Sequence, residues 1–128
     1  MPYVIKHVPA QDIVEVAYTG VATGADLREA TTQCVVLQQQ KGVTRFLVHA
    51  DVTDMTASLE DVHTLPTKQY FEQGVSGKTR IAIVRPTVAR ARELAEYFEL
   101  LCRGRSWHVR MFPDRESAIH WLTAPSVS

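Results

Sequence analysis

The 128-residue chain carries 14 basic and 14 acidic side chains, a formal net charge of zero, and is 45% hydrophobic and 22% charged. This balance excludes a disordered chain, and it leaves no field of one sign to gather phosphate, so no nucleic-acid partner is expected. No apolar run approaches the roughly 20 residues that cross a bilayer, and Met1-Pro2-Tyr3 opens no signal peptide, so a cytoplasmic single domain over 1–124 with a frayed tail over 125–128 is expected.

Tyr3-Val4-Ile5-Lys6-His7 and Ile13-Val14-Glu15-Val16-Ala17-Tyr18 are rich in β-branched and aromatic residues. The turn residues Pro9-Ala10-Gln11-Asp12 between them predict an antiparallel hairpin. Thr23 is a helix cap with Asp26 three residues on, and Leu27, Ala30, Cys34 and Leu37 recur on one helical face up to Gly42. Phe46-Leu47-Val48-His49-Ala50 is a short buried strand, and the next helix begins near Ser58. Pro66 in its path predicts two short helices or one kinked helix reaching about Gln73, followed by a loop at Gly74-Val75-Ser76-Gly77. Arg80-Ile81-Ala82-Ile83-Val84 reads as a parallel strand buried on both faces. A helix from near Pro86 to about Arg103 then presents Val88, Ala91, Leu94, Ala95, Phe98 and Leu101 on one side. Trp107 to Phe112 alternates as a last strand, and Asp114 caps a last helix that points Ala118, Ile119 and Leu122 at the sheet.

The order β-β-α-β-α-β-α-β-α implies an α/β sandwich with a mostly parallel five-stranded sheet and an N-terminal antiparallel hairpin. The first and last strands, as sheet edges, are candidates for homodimer pairing. Cys34 and Cys102 lie on apolar helix stripes, far apart and outside any Cys-x-x-Cys pair, so both are expected reduced and buried.

The sequence holds no glycine-rich phosphate loop, nucleophile elbow or His-Glu-x-x-His, and no cofactor or metal is expected. Two local features carry chemistry. His49 ends a strand beside Asp51 and Asp54, where ligands of open α/β sheets bind, and a His with two carboxylates is able to move a proton. The rim formed by Asp51, Thr53, Asp54, Thr56 and Ser58 after one strand, with Arg85 and Thr87 after the next, is an acidic, hydroxylated docking surface; Ser58 followed by Asp61 is equally a plain helix cap. Charge is split along the chain: residues 1–61 hold 4 basic and 8 acidic side chains, residues 62–128 hold 10 and 6. The basic span is read as a self-paired face, with Glu93, Glu96 and Glu99 beside Arg92 and Arg103.

The element order and the segment Met111-Phe112-Pro113-Asp114-Arg115-Glu116-Ser117-Ala118-Ile119-His120-Trp121-Leu122 resemble the SpoIIAA-like family. These are small proteins related in fold to STAS domains and, more distantly, to lipid-binding Sec14/CRAL-TRIO domains. The matching ending, Phe-x-Asp-x-x-x-Ala-x-x-Trp-Leu, caps and packs the last helix and marks the fold rather than a site. The STAS likeness sets Ser58 at the position of a phosphoacceptor, although Ala57, Leu59 and Glu60 stand where that pattern has Asp, Ser and Gly. The resemblance implies a non-enzymatic regulatory or protein-interaction module controlled at the loop after the third strand. Two alternatives stand beside it: a protein that binds a small apolar or lipid-like ligand in a cleft at Tyr70, Phe71 and Trp107, with Trp121 a further aromatic candidate, and an enzyme using His49 with Asp51 or Asp54.

Overall fold

A computed structural model describes residues 2–125; the other residues of the expected tail, 126–128, lie outside the described residues. The elements are β1 (Tyr3–Val8), β2 (Ile13–Ala22), α1 (Gly24–Lys41), β3 (Arg45–Met55), α2 (Leu59–Thr64), a π-helical turn (Leu65–Gln69), α3 (Tyr70–Glu72), β4 (Arg80–Val84), α4 (Ala89–Arg103), β5 (His108–Phe112) and α5 (Arg115–Thr123). The strands lie side by side in sequence order. β1 runs antiparallel to β2, and β2 through β5 are parallel.

That monotonic order fixes where the helices go. Each crossover between neighbouring parallel strands takes the same right-handed sense, so the connecting helices fall on one face of the sheet. Val14, Val16 and Tyr18 of β2, Phe46 of β3, Ile83 of β4 and Val109 of β5 form the main core with Ala30 of α1, Val62 of α2, and Leu94 and Phe98 of α4. α5, entering after the last strand, covers part of the other face, where Ala118 and Leu122 pack on Ile13, Leu47 and Ala82.

The local signals act as expected. Thr23 and Asp26 form a reciprocal capping box at the start of α1, and Gly42 ends it with φ +68°, a left-handed conformation that glycine adopts without strain. Asp114 accepts from the Ser117 N–H at the start of α5. Pro66, which has no N–H for the residue four positions back, sits inside the helical stretch after Ser58. The chain stays helical by widening one turn, in which the Tyr70 N–H bonds to the Leu65 carbonyl.

Three boundaries differ from the sequence expectation. β2 continues through Thr19-Gly20-Val21-Ala22, and β3 continues past Ala50 to Met55, so most of the expected loop after the third strand is strand. The extensions pair with each other, Thr19 with Asp51 and Ala22 with Met55, across a bulge at Gly20/Val21. Burial of Val52, Met55 and Ala22 holds them in the sheet against the weak strand preference of Asp and Gly. α4 begins at Ala89 rather than near Pro86.

Candidate functional site

Between the sheet and the helical layer lies a cavity of about 150 Å³. Its floor is the inner face of β2, β3 and β4, including Val16, Tyr18, Val48 and Ile83; its walls are α1 and α4, and its roof is Val62, Leu65 and Tyr70 of the widened helix. Small side chains make the room: Ala30 on α1, Ala50 on β3, and Ala91 and Ala95 on α4 all face it. Among the described residues, no charged side chain lines it. Its polar members are mostly tied to protein partners. The Gln38 amide donates to the Val43 carbonyl (3.0 Å) and to Thr79 Oγ1 (2.8 Å), and its Oε1 accepts from the Ser76 N–H (2.9 Å). Thr31 Oγ1 donates to the Leu27 carbonyl (2.8 Å). The Cys34 thiol also lines the cavity, and burial pushes it up to about 12, so it stays protonated and offers no thiolate.

Of the aromatic residues expected to form a cleft, Tyr70 lines this cavity, while Phe71 and Trp107 stand outside its roof. Trp107 packs against both, edge-to-face with Tyr70 at a ring-centroid distance of 5.6 Å and tilted against Phe71 at 5.3 Å. Its indole N–H donates to the Pro66 carbonyl at 3.1 Å, pinning the widened turn to the start of β5. Phe71 is 62% exposed. Trp121 lies half-buried on the opposite face of the sheet, 5.5 Å from Phe112.

The rim residues are separately placed. Asp51, Thr53 and Asp54 are exposed side chains of β3, Thr56 and Ser58 flank the short turn into α2, and Arg85 and Thr87 are exposed between β4 and α4. Asp54 Oδ1 accepts from the Met55 N–H (2.8 Å). The Ser58 hydroxyl accepts from the Asp61 N–H (3.0 Å) and the Asp61 carboxylate accepts from the Ser58 N–H (2.9 Å), a complete capping box. These bonds, with Arg28 donating at 2.9 Å, hold the Asp61 carboxyl below the usual carboxylate range. The arginine that reaches this turn is Arg90, which donates to the Ala57 carbonyl (3.1 Å); Arg85 makes no such bond. A helical arginine aimed back past its own N-terminus has no local sequence signature.

His49 faces the opposite side of the sheet. Its Nε2 lies 3.6 Å from Glu15 Oε2, and Arg115 at the start of α5 pairs with the same carboxylate. The parallel register, His49 opposite Ala17 and Glu15 opposite Leu47, makes Glu15 a diagonal neighbour that lies 34 positions away in sequence. Burial pushes the His49 pKa below 6.5; Arg115 adds to this, and together they outweigh Glu15 and Asp51. Among the described residues, no three His, Cys, Asp or Glu side chains are placed to hold a metal ion, and no helix is long and apolar enough to cross a membrane.

Comparison with known proteins adds one relationship. No curated protein matches the chain. Among solved structures, the chain is similar to an uncharacterized protein of the DUF3478 family with a SpoIIAA-like fold from Shewanella loihica PV-4, at 19% identity, covering 94% of this chain and 91% of that one with a TM-score of 0.49. The family model for SpoIIAA-like proteins matches residues 13–123. That match runs from the first residue of β2 to the last of α5, and the chain belongs to the SpoIIAA-like family.

Proposed function

We propose that this protein is a non-enzymatic binding module that takes a small apolar ligand into the cavity between its sheet and its helical layer. One observation carries the reading: an interior that would otherwise close-pack keeps about 150 Å³ open behind apolar walls. Apolar cavities of this volume take up molecules such as benzene or xenon. The route in is the roof, where Pro66 widens the helix and Trp107 ties the turn to β5, so a rotation of that turn opens the cavity without unfolding the sheet. Ligand inside would bear on Val62, Leu65 and Tyr70 and thereby on the helix that begins at Ser58, giving the module an output at its rim.

Native mass spectrometry of the purified protein tests this. The wild type retains added toluene, and Ala95→Leu, which fills the cavity, does not. Equal retention by both places the ligand elsewhere. A second reading, protein docking at the rim, is favoured by the exposure of Asp51, Thr53, Asp54, Thr56, Ser58, Arg85 and Thr87. It predicts that a partner recovered with the wild type is lost with Asp54→Ala or Ser58→Glu, while both variants stay folded.

A further inference from the structure

We infer, on the reading of the cavity as a binding site, that ligand enters it between α1 and the widened helix. Thr32, Gln69 and Gln73 form a hydrogen-bond latch that holds this seam shut, and the opposite side of the roof is the pivot.

The roof is fastened on its two sides by different chemistry. Toward α4 and β5 the fastening is apolar and buried. Tyr70, 6% exposed, meets Phe98 and Trp107 edge to face, with ring centroids 6.3 and 5.6 Å away. The Trp107 indole N–H holds the carbonyl of Pro66, itself a buried residue. Parting these groups would wet ring surface and strip a buried carbonyl of its donor, so this side resists opening.

Toward α1 the fastening is polar and at the surface. Gln69 Nε2 donates to the Arg28 carbonyl (3.0 Å), and Gln73 Nε2 donates to Thr32 Oγ1 (2.9 Å). Gln39 Nε2 reaches the Gln73 carbonyl at 3.4 Å. All three bonds are exposed, and the seam opens onto a surface depression lined by polar and charged side chains, including Arg28, Thr64, Lys68 and Glu72. Water takes over each bond as the seam parts, so opening here costs far less than opening toward β5.

The latch lies immediately outside the cavity wall. On α1, Leu27 and Thr31 line the cavity, and their chain neighbours Arg28 and Thr32 carry the latch. On the roof, Leu65 and Tyr70 line the cavity, and Gln69 and Gln73 carry the latch. Two further ties bound the seam: Arg28 pairs with Asp61 at 2.9 Å before it, and the buried Gln38 accepts from the Ser76 N–H at 2.9 Å after it. The stretch between those ties contains the widened turn, where the regular helical ladder is already interrupted and rotation is easiest.

Toluene binding and release rates, measured by NMR exchange spectroscopy, test the latch. The proteins compared are the wild type, the double variant Gln69→Ala/Gln73→Ala, and Trp107→Phe, which keeps a ring and loses the N–H; each variant's melting temperature is recorded. The expected result is that the double variant speeds binding and release alike by about 5- to 30-fold, the scale of two lost hydrogen bonds. Its dissociation constant stays within about twofold, because the latch is made whether the cavity is full or empty. Trp107→Phe leaves both rates within about twofold of wild type. Faster exchange in Trp107→Phe with an unchanged double variant overturns the inference and puts the entrance on the β5 side. Equal acceleration in both variants, or in neither, also overturns it, and in all these cases the cavity reading stands. If the wild type does not bind toluene, the cavity reading fails and the latch with it.

Discussion

Gly24 is the first residue of α1, and its replacement by alanine tests how the two helix starts above the sheet are joined. A Cβ at this position would meet the Asp61 carboxylate, lying 2.9 Å from Oδ1 and closer still to Oδ2 and Cγ. Asp61 has no free rotation to yield, since it accepts from the Ser58 N–H at 2.9 Å and from Arg28 at 2.9 Å. Displacing it removes the reciprocal half of the α2 capping box, about 1 kcal/mol, and an exposed ion pair worth roughly 0.5 kcal/mol. Alanine's better helix propensity returns roughly 0.5 kcal/mol at a helix end. The net expectation is a loss of about 1 kcal/mol, or about 4 °C in melting temperature for a domain of this size. Urea and thermal unfolding followed by circular dichroism read this directly. In an Asp61→Ala background the obstruction is gone, and Gly24→Ala should become neutral or slightly stabilising. Equal stability of Gly24→Ala and wild type, or the same loss in both backgrounds, refutes the contact.

His49 should titrate below 6.5 in the folded protein, as followed by its ring proton shifts. A base with a depressed folded pKa gives stability that is fully present above 6.5 and lost as pH falls through the folded pKa, so the urea midpoint should drop as pH falls below 6.5 and His49→Gln should flatten that drop. A ring that titrates above 6.5 contradicts the dominance of burial over Glu15. Burial pushes both Cys34 and Cys102 up to about 12, so at about pH 8 both thiols should react with iodoacetamide orders of magnitude more slowly in native protein than in urea. Rapid native labelling of either shows an open route to it. Trp121→Ala should cost about 1.5–3 kcal/mol, less than for a fully buried tryptophan, because the ring is only half-buried between Phe112 and Arg80. A melting temperature within a degree of wild type means the ring carries no packing.

Much of the fold was legible because its signals are local. The hairpin turn before Ile13, the Thr23 and Asp114 caps, the Gly42 stop and the apolar run of β4 each act within a few residues, and together they order the elements correctly. The continuation of β3 was hidden because Asp51-Val52-Thr53-Asp54-Met55 is polar, and only its pairing with Thr19–Ala22 holds it extended. The alternating burial of Val52 was a weak signal for it. The site was less legible for a related reason. Cavity volume arises where Ala30, Ala50, Ala91 and Ala95 of three separate elements meet, and one alanine on a helix stripe reads as ordinary packing. Glu15 as the partner of His49, and Arg90 rather than Arg85 at the β3–α2 turn, are likewise products of register and helix direction.

The central claim is that the space between sheet and helices is an apolar ligand site, and crystals equilibrated under xenon pressure test it most directly. Xenon carries no hydrogen-bonding group and enters an apolar void by fit and dispersion alone. The expected result is one strong xenon peak bounded by Tyr18, Cys34, Leu65 and Tyr70 in the wild type, absent in Ala95→Leu. A wild-type crystal with no xenon there, its side chains closed across the space, would contradict the account.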